Sequence, residues 1–509
     1  MRVALISVGA ALTWVTATTV IGFLSNMVSP LPPIQDFGVV SSVGIIAALV
    51  IFGGLIPALK VESDEFLESR GFDRRKRAFG TGGGVLGRVL TVGATAARKA
   101  PLVVIVLTLL VSAAGGYGAT KVDTSFSQTD FLADSPPHWT EQLPDPFKPG
   151  EYSAKQNLDY VNDNFVRQDS QAQILVQGNI TKDNTLEQVD QAKEKAANKD
   201  VTIKLSNDEP QVEGPLSVME QVAAENATFN QTFTAADTDG DGVPDKNLKK
   251  VYDGLFAAAP DQAAGVIHRD DGNYDALRVA ISLKGGASSS AVTTQMRDVA
   301  DSFDGLEATA TGQSIVFEIV QDQLLDTVIE SLIITMVAVF AFLMLIYRLM
   351  EGSATLGAVT LLPVVFSVAW ILGTMYLLGM PFNILTGMIT SLTVGLGVAY
   401  SIHLSERYNV ELERQGSVWE ALEVSLTGTG GALLGSAATT VGGFGVLAFA
   451  ILPALQQFGI ITGLTIIYAF IASVLVLPSL LVVWTRYFGP GARGTIETKS
   501  DAATSTSED

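Results

Sequence analysis

Eight apolar stretches, at about 5–25, 38–58, 100–118, 327–348, 355–377, 384–403, 430–450 and 458–484, limit what this 509-residue chain can fold into. Each is long enough to cross roughly 30 Å of hydrocarbon as a helix rising about 1.5 Å per residue. Backbone groups in lipid must be bonded within their own segment or a closed barrel, and none of the stretches shows the two-residue alternation of a barrel strand. They read as eight membrane-spanning helices. The first begins at Met1 with Arg2 as its only early charge and lacks a small-residue cleavage signature, so it reads as a retained span.

Composition agrees. Hydrophobic residues make up 48% of the chain and charged residues 17%, more apolar side chain than a soluble core of this size would hold. Against 32 basic residues stand 52 acidic ones, and the formal charge of -20 repels nucleic acid, which is not an expected partner. An acidic excess outside the spans fits life in high salt, as in a halophilic archaeon, and also an ordinary acidic external domain. Cysteine is absent, which removes disulfides and thiolate chemistry, and His138, His268 and His403 are scattered. No enzymatic constellation emerges.

Orientation follows from lysine and arginine beside the spans. The segment 59–99 carries Lys60, Arg70, Arg74, Arg75, Lys76, Arg77, Arg88, Arg98 and Lys99 and is expected to face the cytoplasm as a basic linker. Arg348, Arg407, Arg414, Arg486 and Arg493 fall on the same side if the spans alternate. Both termini are then cytoplasmic, 119–326 is extracellular, and 485–509 is a disordered acidic tail. The sequons at Asn179, Asn226 and Asn230 are compatible with that exposure.

Sliding the chain against itself by 421 positions aligns Ala17 to Phe23 with Ala438 to Phe444, Phe37-Gly38 with Phe458-Gly459, and Pro57 with Pro478. Over 17–59 there are 16 identities in 43 positions without a gap, more than shared hydrophobicity gives. The first two spans, within 1–58, thus repeat the last two, within 430–484. Parallel repeats of this kind place equivalent bundles side by side in transporters. The chain is expected to be the C-terminal part of a duplicated twelve-span protein, partnered by a separately encoded first half or by further copies of itself, with a native eight-span protein as the rival reading.

Within 119–326, helices are expected over 153–166, 184–198 and 290–304, and strands over 171–177, 276–284 and 306–311, suggesting a pair of small α+β lobes. Asp237, Asp239 and Asp241, two apart on a glycine-bearing turn, can converge on a hard cation, with Asp245 where a water-mediated ligand would sit. Outside a cell Ca²⁺ is the natural candidate, although Leu248 stands where a bidentate glutamate would complete such a loop. A solvated acidic turn is the alternative. Residues 404–429 mix apolar and charged side chains as a helix lying along the cytoplasmic interface would.

The sixth stretch ends Gly395-Leu396-Gly397-Val398-Ala399-Tyr400-Ser401-Ile402-His403. Together with the Ala-Thr-Thr-Val-x-Gly-Phe segments at 17–23 and 438–444 and the order of one span (100–118), an external domain (119–326) and five spans (327–403 and 430–484), it resembles the RND superfamily, in its MMPL-like and sterol-sensing-like branch of prokaryotic exporters. The resemblance covers 5–484. It implies a polytopic α-helical membrane protein with an RND-type bundle and an extracytoplasmic porter-like α+β domain, exporting hydrophobic or amphiphilic compounds from the bilayer by proton influx. Such proteins commonly read Gly-x-Gly-Val-Asp-Tyr here, the aspartate carrying the proton. This chain has Ala399 at that place and keeps Tyr400. A methyl group cannot titrate, and the apolar stretches hold no other carboxylate at mid-membrane depth, since Glu330 falls at a helix edge.

The remaining transport-core candidates are His403, on the face of Tyr400, and the paired threonines Thr18, Thr19, Thr439 and Thr440. Each also has a plainer reading, an interfacial histidine or hydroxyls bonded to their own helix. Gly430, Gly431 and Gly435 suggest a close-packed helix face. At the level of function, a non-transporting lipid sensor or scaffold acting through the external domain is the alternative to export, because a fold does not fix a function.

Overall fold

The computed structural model describes residues 2–29, 32–71, 85–122, 152–165, 171–205 and 208–489, with isolated positions between 124 and 150. Two compact units emerge, Met1–Phe126 with Leu324–Asp509, and Ser127–Gln323.

The first unit is built on long helices: α1 (Arg2–Leu24), α2 (Pro32–Glu68), α3 (Pro101–Ala119), α4 (Gln313–Met350), α5 (Ala354–Leu378), α6 (Ile384–Gln415), α7 (Val418–Gly445) and α8, which runs from Pro453 to Tyr487 through a π-turn at Ala472–Val476. Seven of them are long and apolar enough to cross a membrane among the described residues. The eighth, α6, contains the expected stretch 384–403, several side chains of which lie outside the described residues. The chain is therefore a multi-pass membrane protein.

Residues 404–429 form no separate interfacial helix. Instead α6 continues unbroken to Gln415, stops at Gly416 in the left-handed conformation (φ 69°), and α7 starts at Val418. Of the apolar residues in this segment, Leu404, Leu412, Val418 and Leu422 are buried in the bundle core, while Val410 is exposed. Small residues set the helix spacing. A Cβ added to Gly373 of α5 would sit 2.7 Å from the Gly115 Cα of α3, so these helices touch backbone to backbone. Gly430 packs under Leu90, whereas Gly435 has open space, so the expected glycine face is only partly a contact.

In the second unit the strand signals locate a single antiparallel sheet, not two lobes, among the described residues. Its order is β2 (Val212–Glu213), β4 (Asn273–Ser282), β1 (Gln171–Gln177) and β5 (Glu307–Thr311), with β3 (Ile267–Asp270) forming a hairpin with β4. Alternation along β1 turns Ala172, Ile174 and Val176 into the core, opposite Ile281, Val279 and Leu277 of β4. Helices Thr185–Ala197, Pro215–Glu225, Leu248–Ala258 and Ser289–Ala300 cover it, burying Leu186, Met219, Tyr252 and Met296. The Tyr252 hydroxyl donates to the Ile180 carbonyl at 2.9 Å, so the polar end of this buried ring is satisfied.

Candidate functional site

The internal repeat is reproduced in the turn and contacts of two hairpins. Leu24 ends α1 and a 3₁₀ turn, Ser25–Val28, leads toward α2; Gly445 ends α7 and a 3₁₀ turn, Val446–Phe449, leads toward α8. In the first hairpin the rings of Phe23 and Phe37 lie 5.7 Å apart, and in the second those of Phe444 and Phe458 lie 5.7 Å apart. Gln35 donates to the Ser29 carbonyl at 2.7 Å, as Gln456 does to the Ala450 carbonyl at 2.8 Å. Gly38 and Gly459 are glycine for one reason: an added Cβ would meet the Phe23 carbonyl oxygen at 2.5 Å or its counterpart on Phe444 at 2.6 Å.

Surroundings separate the copies. Thr18 and Thr19 are buried, and each donates to the Val15 carbonyl of its own helix. Thr19 also donates to the Gly395 carbonyl of α6 at 3.1 Å, and Gly22 lets the α6 backbone approach, since its added Cβ would lie 3.4 Å from the Gly395 Cα. Thr335 of α4 donates to the Ser25 hydroxyl at 2.5 Å. In the second copy Thr439 and Thr440 donate only to their own helix, at Gly435 and Ser436, and nothing lies within 4 Å of a Cβ added to Gly443. Val446, the counterpart of Ser25, is exposed.

Past Gly395, the segment that resembles a proton-carrying site contains Ala399, half-buried, and Tyr400, buried edge-on against Phe470 at 6.2 Å. His403, half-buried one turn on, has no hydrogen-bond partner among the described residues. Ser401 bonds Ser473 of α8 at 2.9 Å and Ser405 bonds Thr360 of α5 at 2.9 Å. Seven residues beyond Ala399, two turns along the same face, stands Glu406, with its Oε1 sealed from solvent and unbonded. Glu406 lies outside the apolar stretch 384–403, yet its i, i+7 spacing from Ala399 is visible in the sequence.

In the sheet unit the acidic turn takes shape between two helices. Asp237, Asp239 and Asp241 bring one carboxylate oxygen each to within 4.8 Å of one another and can hold a cation. Gly240 and Gly242 supply left-handed turns at φ 81° and 94°, and their N–H groups donate to Asp237 at 2.8 and 3.0 Å. Asp245 is not part of the cluster. It is buried and accepts from the Thr238 N–H at 2.9 Å and the Thr238 hydroxyl at 2.6 Å, bonds that hold its carboxyl below the usual range. Its role is to close the turn. Sequence spacing alone does not reveal Glu187, on the covering helix Thr185–Ala197, whose pKa is raised by desolvation and by the nearby charges of Asp239, Asp245 and Asp241.

The profile of the MMPL family matches residues 147–499. A membrane protein of Methanocaldococcus jannaschii is 31% identical over 186 residues, covering 36% of this chain and 47% of that protein. The membrane protein ActII-3 of Streptomyces coelicolor is 27% identical over 234 residues, 44% of this chain and 32% of its own. The apo-petrobactin exporter of Bacillus anthracis is 29% identical over 163 residues, 31% of this chain and 21% of its own. The chain thus spans about half or less of the length of these relatives.

Proposed function

The chain belongs to the MMPL family of non-catalytic membrane proteins, and on that premise we propose that it is a component of an RND-type exporter of hydrophobic or amphiphilic compounds. The observation that carries this reading is the pair of matching hairpins with unequal surroundings. One copy is sealed by α4 and α6 through Ser25, Thr19 and Gly22, and its twin presents Val446, Thr440 and Gly443 with nothing against Gly443. A repeated bundle whose second face carries the same glycine and threonine pattern is suited to receive helices equivalent to α4 and α6 from another polypeptide, a separately encoded half or a further copy, completing a duplicated twelve-span arrangement.

In this reading the arginine-bearing ends of the helices face the cytoplasm, both termini are inside, and the sheet unit works outside the cell as the porter-like domain. There the Asp237, Asp239 and Asp241 cluster takes Ca²⁺ as a clip on an exposed turn. The acidic excess is an adaptation to high salt. Ala399 makes the Gly395 to Tyr400 segment the untitratable side of the transporter, so proton coupling through this segment comes from the partner's equivalent helix.

The test is flux. Vesicles reconstituted with the chain and its partner half are expected to move an amphiphilic dye across the bilayer in a substrate-concentration-dependent way, and vesicles without protein are not. Saturable dye binding with no flux under any gradient would favour a lipid sensor or scaffold instead.

A further inference from the structure

Two glutamates of α6, five residues apart, stand in opposite surroundings. Glu411 is buried, with Arg407 at 2.7 Å and Arg414 at 3.8 Å from its Oε1. Glu406 has no cation: among the described residues no lysine or arginine pairs with it, and its Oε1 is shut away from solvent without a hydrogen bond.

Tyr347 and Glu351 face Glu406, and the polar groups near them can be named element by element. From α4 comes the Tyr347 phenol, fully buried, its ring 5.6 Å from Trp14 of α1 and its hydroxyl beside the Glu406 carboxyl without a well-formed hydrogen bond to it. Just past α4 lies the Glu351 carboxylate, which accepts from the Asn409 amide. From α5 comes Thr360, whose hydroxyl is occupied by Leu356 and Ser405. On α6 itself Arg407 is turned to Glu411, and Arg348 of α4 donates to the Gly352 carbonyl at 2.8 Å. From α8, Thr485 is bonded to Tyr408 at 2.7 Å.

Glu406 is half-buried, and a carboxyl with one oxygen shut from water, beside one carboxylate and no cation, favours its neutral form. Its position also matters. Glu406 lies three residues past the apolar stretch, at the arginine-bearing end of the bundle, about 10.5 Å along the helix from Ala399.

We propose that Glu406 and Tyr347 form a proton-binding site at the arginine-bearing end of the membrane bundle. The Glu406 carboxylate takes one proton from water at that surface and becomes a neutral acid that can donate to a neighbouring oxygen. It returns the proton to water as the end opens, leaving the carboxylate with the phenol O–H as its hydrogen-bond donor. Only the purpose of the site, setting when that end opens, rests on the export reading; proton binding does not.

The experiment is carbodiimide labelling of the full chain in lipid nanodiscs. N,N′-Dicyclohexylcarbodiimide adds to protonated carboxyls in apolar surroundings and leaves a stable N-acylurea that peptide mass spectrometry locates. Glu406 is expected to be modified at about pH 6.5 and at least about tenfold less at about pH 9, with Glu411 unmodified at both. Tyr347→Phe, which removes the donor to the anion, should carry the labelling to higher pH. Glu406→Gln should lose that adduct alone. Absence of a Glu406 adduct while other carboxyls are labelled, equal labelling at both pH values, or protection by Na⁺ but not K⁺ at fixed pH would each overturn the proposal. No substrate is needed, so an inactive vesicle preparation leaves this test standing, and a failed labelling leaves the export reading standing.

Discussion

The hairpins 17–59 and 438–480 share their turn, their aromatic pair and their proline positions, and differ in what touches them. In the second copy α8 lies largely buried within the unit, whereas its counterpart α2 is mostly exposed. On the preceding helix the order reverses: Thr18 and Thr19 of α1 are buried, Thr19 against α6, whereas their counterparts on α7 are exposed at Thr439 and half-buried at Thr440. Each copy thus has the neighbours the other lacks. Sequence fixes the hairpin itself, through glycine at the crossing and a 3₁₀ turn, and the neighbours decide burial. Apolar side chains left outside are tolerated because lipid replaces protein as their solvent.

The largest expected effect probes what the copies share. Gly38→Val and Gly459→Val each force a side chain onto a Phe carbonyl oxygen, and overpacking of this kind costs about 1–3 kcal/mol or more where backbone must move. Both variants should lower the thermal midpoint in detergent by similar amounts; a loss confined to one would break the equivalence. Next comes the contact that differs. Gly22→Leu wedges α1 from α6 and should destabilise by about 1–3 kcal/mol, while Gly443→Leu should leave the stability of this chain alone unchanged within about 0.5 kcal/mol. Equal losses would mean the second face is already filled.

A smaller effect sharpens the contrast between the membrane helices and the sheet unit, where charge pairs are in water. His268 Nδ1 lies 2.6 Å from Asp275 across the β3–β4 hairpin; this hydrogen bond raises the histidine pKa and lowers that of the aspartate. The sign is fixed by the histidine. Its stabilisation is fully present below the unfolded pKa of about 6.5 and is lost as pH rises through the raised folded value. Asp275 contributes above its unfolded pKa and loses that contribution as pH falls through its lowered value. His268→Gln should therefore lower the melting temperature slightly at about pH 5.5 and leave it unchanged at about pH 8.5. A difference at the higher pH alone would contradict the pairing.

Legibility in the sequence followed physical range. The membrane helices were readable because an apolar stretch of this length has few alternatives, and β1 was readable to the residue because Ala172, Ile174 and Val176 alternate with polar neighbours. β2 and β3, of two and four residues, are too short to show a period and exist through pairing with β4. Spacing places Asp245 where a water-mediated ligand would sit and does not show that its carboxylate folds back onto Thr238. The continuation of α6 through 404–415 was hidden by its charges, which the bundle accommodates by pairing Glu411 with Arg407 and leaving Glu406 beside Tyr347. The repeat was the most informative signal, since it paired two hairpins of spans whose connecting 3₁₀ turns then match.

The central claim is that the bare face of α7 receives helices from another polypeptide. A benzophenone amino acid placed at Val446, in cells that normally make the protein, tests it directly, with Leu110 on the exposed side of α3 as the reference position. The account predicts an irradiation-dependent adduct from Val446 to a polypeptide, either a second copy or a separately encoded half, and only lipid adducts from Leu110. Lipid adducts alone from both positions would contradict it.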